Sequence, residues 1–327
     1  MTMSLRKLVM ALGIASALIA PAQAEETLVV YTSQPNADAQ QTVDAFMAAH
    51  PDIKVDWVRD GTTKIMAKLR AEFAAGNPKP DVLLIADIVT MEGLKREGRL
   101  APVEGLELEA YDPALYDAEH NYFSTKLITT GIVYNTNSDI KPTSWKDLAK
   151  PELKGLVAMP SPLTSGAATI HMEALTQNDA LGWDYYEALA ANDVKPQGGN
   201  GGTFKAVAGG EKMAGAVVDF LPIREKAKGS PVEFVFPEEG VSAVTEPVAM
   251  LSTANNPEAA KKFVAFLLSE EGQKLAADQG YLPAHPGVDA PAGFPSRDNI
   301  KLMAFDAGEA LETAEQDKMK FIEIFGE

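Results

Sequence analysis

Cysteine is absent from the 327 residues. Disulfides, thiol chemistry and zinc-thiolate sites are therefore excluded, and stability has to come from core burial. Four histidines (His50, His120, His171, His285) fall at no metal-ligand spacing, so they read as surface or capping residues and no metal site is expected. Basic residues are few, 29 against 46 acids, and the formal charge is −17. No basic stripe is present, which argues against nucleic acid; the acidity reads as the solubility of an exported chain. Beyond residue 24 no run of 18 apolar residues occurs, so no membrane span is expected. Nucleophile elbow, His-Glu-x-x-His and Walker loop are all missing. Gly198-Gly199-Asn200-Gly201-Gly202 lacks the phasing and strand context of a dinucleotide loop. No cofactor is called for. An exported hydrolase using paired carboxylates is the alternative class, because any cleft holds acids. A solute that raises the melting temperature without being consumed would decide for a binder.

What is present begins with an address. Arg6 and Lys7 precede an apolar run from Leu8 to Ala20 and the small-residue site Ala22-Gln23-Ala24. This pattern reads as a secretory signal over 1–24, too short for a membrane span, and implies an exported protein. Without a lipobox cysteine no lipid anchor is expected. Roughly 300 residues remain, comfortable for two α/β lobes.

Strand and helix then alternate. Strand 27–31, helix 39–49, strand 53–58, helix 63–75, strand 81–85 and a short helix from about 88 to 97 form three βα units. They imply a parallel, doubly wound sheet. Residues 101–122 read as a surface loop, and 126–135 as a long β run suited to crossing between lobes. Further strands are expected at 156–159, 214–220 and 232–236, and further helices at 167–175, 181–191 and 203–208. A second crossing, 241–251, contains Thr245-Glu246-Pro247, and 256–270 is an amphipathic helix. The fold class is α/β, two doubly wound lobes joined by two β hinge segments. The first lobe takes 25–127 and 246–290, the second 128–245 and 291–327. The ligand site belongs in the cleft between them, at the carboxyl ends of the strands.

Seven phrases occur in a telling order: Val30-Tyr31-Thr32-Ser33, Asp81-Val82-Leu83-Leu84, Leu94-Lys95-Arg96-Glu97-Gly98-Arg99-Leu100, Gly131-Ile132-Val133-Tyr134-Asn135, Thr143-Ser144-Trp145-Lys146-Asp147-Leu148, Asn256-Pro257-Glu258-Ala259-Ala260-Lys261-Lys262-Phe263 and Leu282-Pro283-Ala284-His285-Pro286. Together they resemble the periplasmic substrate-binding proteins of ABC importers, in the group of ferric-iron, phosphonate and sugar-phosphate binders. The resemblance runs over almost all of the chain after the signal. It implies a type II binding-protein fold and no catalysis. It also implies a monomer that closes on a solute and docks on an inner-membrane ABC permease.

Ferric binders of this group carry adjacent tyrosines after the strand that follows the glycine loop. Here that place reads Val217-Val218-Asp219-Phe220-Leu221-Pro222. Tyr185-Tyr186 lies instead on a helix beside Trp183 and Leu189 and reads as packing. Hydroxyl-rich loops suggest an anion. Thr32, Ser33 and Gln34 follow the first strand, Thr62 and Thr63 open a helix, and Ser161, Thr164 and Ser165 open another. Small hydroxyls beside unpaired helix N–H groups suit phosphate-like oxygens, although ordinary N-capping explains each loop taken alone. Asp219 and Glu246 are acids that could meet a ligand amine, or could pair with a nearby base such as Arg224. Asp87 reads as a helix cap or a third acid, and Tyr122 and Tyr281 as packing or an aromatic wall. Hydroxyls opposite carboxylates point to a small zwitterion. Within the resembling group the matching ligand is 2-aminoethylphosphonate, followed by a sugar phosphate, ferric iron and a polyamine.

Overall fold

The computed structural model describes residues 26–326; the signal read at 1–24 lies outside the described residues. In chain order the elements are β1 (Glu26–Thr32), α1 (Asn36–Ala49), β2 (Ile53–Arg59), α2 (Thr62–Ala74), β3 (Val82–Leu84), α3 (Ile88–Arg96), β4 (Leu100–Ala101), β5 (Phe123–Ser124) and β6 (Lys126–Asn135). They continue with β7 (Val157–Ala158), α4 (Gly166–Thr176), α5 (Gly182–Ala191), α6 (Asn200–Ala208), β8 (Ala214–Val218), α7 (Phe220–Ala227), β9 (Val232–Val235) and β10 (Ser242–Val244). The chain ends with β11 (Pro247–Leu251), α8 (Pro257–Leu268), α9 (Glu270–Asp278), β12 (Leu282–Pro283) and α10 (Ala307–Phe325).

Two sheets result. The first has the order β2-β1-β3-β11-β4, with β5 also on β11; β1 runs parallel to β2 and β3, and β11 runs antiparallel to its neighbours. The second has the order β10-β6-β8-β7, with β9 and β12 also on β6. Strand β6 is antiparallel to all its partners, while β7 and β8 run parallel. The expected α/β class holds, but neither sheet is wholly parallel. The second crossing returns to the first sheet as β11, which lies between β3 and β4 and runs antiparallel to both.

Buried branched and aromatic residues place the core on both sheets. Leu28, Val30, Phe46, Val82, Phe263 and Val264 pack around the first, and Trp145, Tyr186, Leu189, Ala216 and Phe321 around the second. Tyr185 and Tyr186 are both buried here, as their place on a packed helix face suggested. His171 departs from the expectation of surface histidines. It is 3% exposed, and burial pushes its imidazole down to about 3; Nδ1 lies 3.0 Å from Ser242 Oγ.

Several expected bounds shift for local reasons. The glycine loop is shorter than expected because α6 already begins at Asn200, and 214–220 is divided because Asp219 caps α7 and stops β8. The helix expected over 256–270 is α8, which stops at Leu268, and a further helix, α9, follows it, capped by Ser269, whose hydroxyl accepts from Gly272 N at 3.2 Å. The second crossing is broken at Glu246, which takes a left-handed φ of 39°. Helix α10 was not foreseen. It packs on α3 beside the first sheet and on α4 and α5 beside the second. Among the described residues no helix is long and apolar enough to cross a membrane.

Candidate functional site

Between the sheets lies a cleft of about 540 Å³. One side comes from the β1–α1 turn and the segment Arg59–Lys64; the other from Leu163–Ala167, Gly198–Gly202 and the start of α7; Ile128, Glu246 and Tyr281 close its back. The two sides touch. A Cβ added at Gly166 would stand 2.6 Å from Ala86 O and 2.8 Å from Thr62 Oγ1, both on the opposite side. The lobes are therefore closed.

Helix starts converge on this space. Helices α2 and α6 begin after Gly61 and Gly199, and neither receives a side-chain cap. Both glycines and the residues after them line the cleft. The first two N–H groups of each helix, those of Thr62 and Thr63 and of Asn200 and Gly201, come too early for an intrahelical partner and carry the positive end of the helix dipole, whereas Lys64 N and Gly202 N already donate to Gly61 O and Gly199 O at 3.0 and 2.9 Å. Helix α4 opens on the same space at Gly166, capped by Ser165 Oγ, which accepts from Ala168 N at 3.4 Å. Arg59 adds a full charge. Its Nε donates to Gln34 O at 2.7 Å and its Nη2 reaches Ser33 O at 3.5 Å, which pins the side chain at the rim. Among the described residues no carboxylate lies within ion-pair distance of it. Sequence reasoning missed Arg59, because a lone arginine at a strand end carries no pattern; only the fold brings it beside α2.

Of the residues singled out from sequence, Ser33, Thr62, Thr63, Thr164, Ser165 and Glu246 line the cleft. Ser33 Oγ accepts from Ala86 N at 2.9 Å, leaving its own proton to donate. Thr164 Oγ1 donates to Gly198 O at 2.7 Å, so it can only accept from a ligand. Thr32, Gln34, Asp87, Tyr122, Ser161 and Asp219 do not form part of the lining. Thr32 Oγ1 accepts from Gln34 N at 3.1 Å, and Ser161 Oγ accepts from Leu163 N at 3.2 Å. Asp87 caps α3, accepting from Thr90 N at 3.0 Å; burial raises its pKa. Tyr122 donates to Glu92 at 3.1 Å inside a hydrophobic cluster, and burial raises its pKa too.

The two acids expected to face a ligand amine are both engaged by the protein. Asp219 is fully buried. It accepts from Thr129 N at 2.8 Å, Thr129 Oγ1 at 2.7 Å and Phe220 N at 2.7 Å. Burial pushes its carboxyl up to about 7 in spite of these donors. Glu246 is paired through Oε2 with Lys126 Nζ at 2.6 Å and accepts from Gln34 Nε2 at 3.3 Å. Both members of that pair are buried. The base is thus Lys126 and not Arg224, which instead meets Asp38. Lys126 lies in the other crossing segment, some 120 residues away in sequence, and no local pattern links it to Glu246.

Two α/β bodies joined by crossing strands and closed over one cleft define a type II periplasmic binding-protein fold. The chain belongs to the family of bacterial extracellular solute-binding proteins, whose profile matches residues 27–282. It is 29% identical over 303 residues to an uncharacterized protein of Haemophilus influenzae, covering 87% of this chain and 86% of that one. Among solved structures it resembles the periplasmic binding protein AfuA of Actinobacillus pleuropneumoniae with fructose-6-phosphate bound. That match has a TM-score of 0.85 and 22% identity, and covers 92% of this chain and 99% of the other. Iron-bound HitA of Pseudomonas aeruginosa matches with a TM-score of 0.78 and 22% identity, over 91% and 99% of the two chains. At these identities the structural matches speak for the fold.

Proposed function

We propose that this chain captures a small organic phosphate or phosphonate in the periplasm and delivers it to an ABC permease. The observation that carries the reading is the pair of glycine-started, uncapped helices α2 and α6 opening on one cleft, with Arg59 pinned at its rim. Free N–H groups at helix starts, a full positive charge and the Ser33 hydroxyl suit phosphoryl oxygens. Ferric iron fits less well. Phe220 and Leu221 stand where phenolates would be needed, and the Tyr281 hydroxyl is turned to Asp38 with its pKa raised by burial. A polyamine calls for an acid at each amine, and of the two acids among the described lining residues, Asp60 and Glu246, the second has one oxygen already paired with Lys126.

Within this class the narrower reading is 2-aminoethylphosphonate. Lys126 and Gln34 both meet Oε2 of Glu246, so Oε1 is the atom a ligand amine would reach from the cleft. A sugar phosphate would offer hydroxyls to the same atom. Closure supplies the signal for docking, and its free energy is the solute's differential affinity for the closed form.

Calorimetry tests this with ethylphosphonate, 2-aminoethylphosphonate, a hexose 6-phosphate, ferric citrate and spermidine. A phosphonate or phosphate ester binds, and Arg59→Gln weakens it while flattening its salt dependence. Glu246→Gln costs 2-aminoethylphosphonate more than ethylphosphonate. Binding of ferric citrate or spermidine alone would overturn the proposal.

A further inference from the structure

Behind the cleft wall formed by Phe220 and Tyr281 lies an ionic cluster that does not belong to the lining. Asp38 sits on α1, beside the first sheet, and is 4% exposed. Arg224 sits on α7, beside the second sheet. Arg224 Nη1 donates to Asp38 Oδ1 at 3.1 Å and Nη2 to Oδ2 at 3.0 Å, a bidentate fork between the lobes. The Tyr281 hydroxyl donates to the same Oδ2, and Gln279 Nε2 donates to Asp38 O at 3.0 Å. The guanidinium lies over the rings of Phe220, at 4.4 Å, and Tyr281, at 4.7 Å; the two ring centres are 4.5 Å apart. Gly280, at a left-handed φ of 81°, makes room for it: a Cβ there would stand 3.0 Å from Arg224 Nε. On its other partners, Tyr281 carries Lys126 Nζ 4.1 Å from its ring centre, and that amine continues to Glu246.

We infer that Asp38 and Arg224 are a closure clasp: they fasten the two lobes and hold the Phe220–Tyr281 wall of the cleft without touching the solute. The pair joins helices packed on different sheets, so it survives only while those sheets stay together. Both Nη groups and both Asp38 oxygens are taken up by the fork, the guanidinium lies against two rings and the carboxylate is buried, although Nε has no partner among the described residues, so breaking the fork leaves a buried carboxylate without its counter-charge. Because Phe220 and Tyr281 face the cleft on one side and Arg224 on the other, a solute that fills the cleft supports the clasp through the wall. Affinity thus depends on residues outside the contact surface. The inference uses the closed geometry and not the identity of the solute, so it can stand or fall apart from the phosphate reading.

A chain with no cysteine allows site-specific labelling. Dyes attached through Lys54→Cys on β2 and Glu187→Cys on α5, both exposed and on opposite lobes, report the interlobe distance in the unliganded protein by single-molecule energy transfer. Arg224→Lys keeps the charge and loses the fork. It should lower the closed-to-open ratio by about tenfold, and Asp38→Asn should do the same. The double variant should then be no more open than either single one. A merely structural role would lower the melting temperature and leave the distance distribution unchanged. That result, or an unliganded wild type with no closed population to lose, overturns the inference. Arg224→Lys decides alone if Asp38→Asn does not fold.

Discussion

Gly166→Ala separates closure from folding. Gly166 is the first residue of α4, and its φ is not left-handed, so alanine brings no backbone strain. The added methyl would lie 2.6 Å from Ala86 O, 2.8 Å from Thr62 Oγ1 and 2.9 Å from Asp87 Cβ. All three belong to the opposite side of the cleft. Two of them are backbone or Cβ atoms that cannot swing aside, so the lobes themselves must part. Overpacking of this kind costs about 1–3 kcal/mol. It falls on the closed form alone, because the open form has no opposing surface. Solute affinity should therefore drop by roughly 5- to 150-fold, at about 1.4 kcal/mol per decade. Unliganded stability should hold or rise slightly, since alanine is the better helix former. The assays are calorimetry with whichever probe the wild type binds, and thermal melting without it. Wild-type affinity in Gly166→Ala would refute the argument and show that the bound form never brings these surfaces together. An equal loss of affinity and stability would show that the contact belongs to folding.

Two further outcomes test the buried charges. Lys126→Met leaves Glu246 buried and unpaired between the crossing strands, and should lower the free energy of unfolding by about 3–5 kcal/mol; urea titration showing less than about 1 kcal/mol would refute the pairing as a structural element. Glu173 on α4 is buried beside Asp317 of α10, and burial, then that neighbour, pushes its carboxyl up to about 8 from an ordinary 4.5. A raised folded pKa contributes stability that is complete below about 4.5 and is lost as pH rises through about 8. Glu173→Gln should flatten the fall in melting temperature between those values, and an unchanged slope would show that Glu173 does not titrate there.

Much of the fold could be read from local chemistry. Periodicity placed α1, α2 and α3 to within a few residues, because each buries one apolar stripe and ends at a cap or breaker such as Asp87 or Gly76. The hydroxyls beside helix starts were equally legible, since N-cap chemistry is local. The direction of an acid was not. Asp219 and Glu246 look alike in sequence, an acid in an apolar segment, yet one turns inward to Thr129 and the other borders the cleft against Lys126. Their partners come from strands far away along the chain, so only the packing of β6 against β8 and β10 decided them. Arg59 went unread and Arg224 was matched to the wrong acid for the same reason: Arg224 meets Asp38, 186 residues away in sequence. By itself the sequence determined an α/β chain and the places where helices begin; the tertiary structure decided which of those beginnings share a cleft and which charges neutralise one another, because both depend on contacts that no short stretch of residues contains.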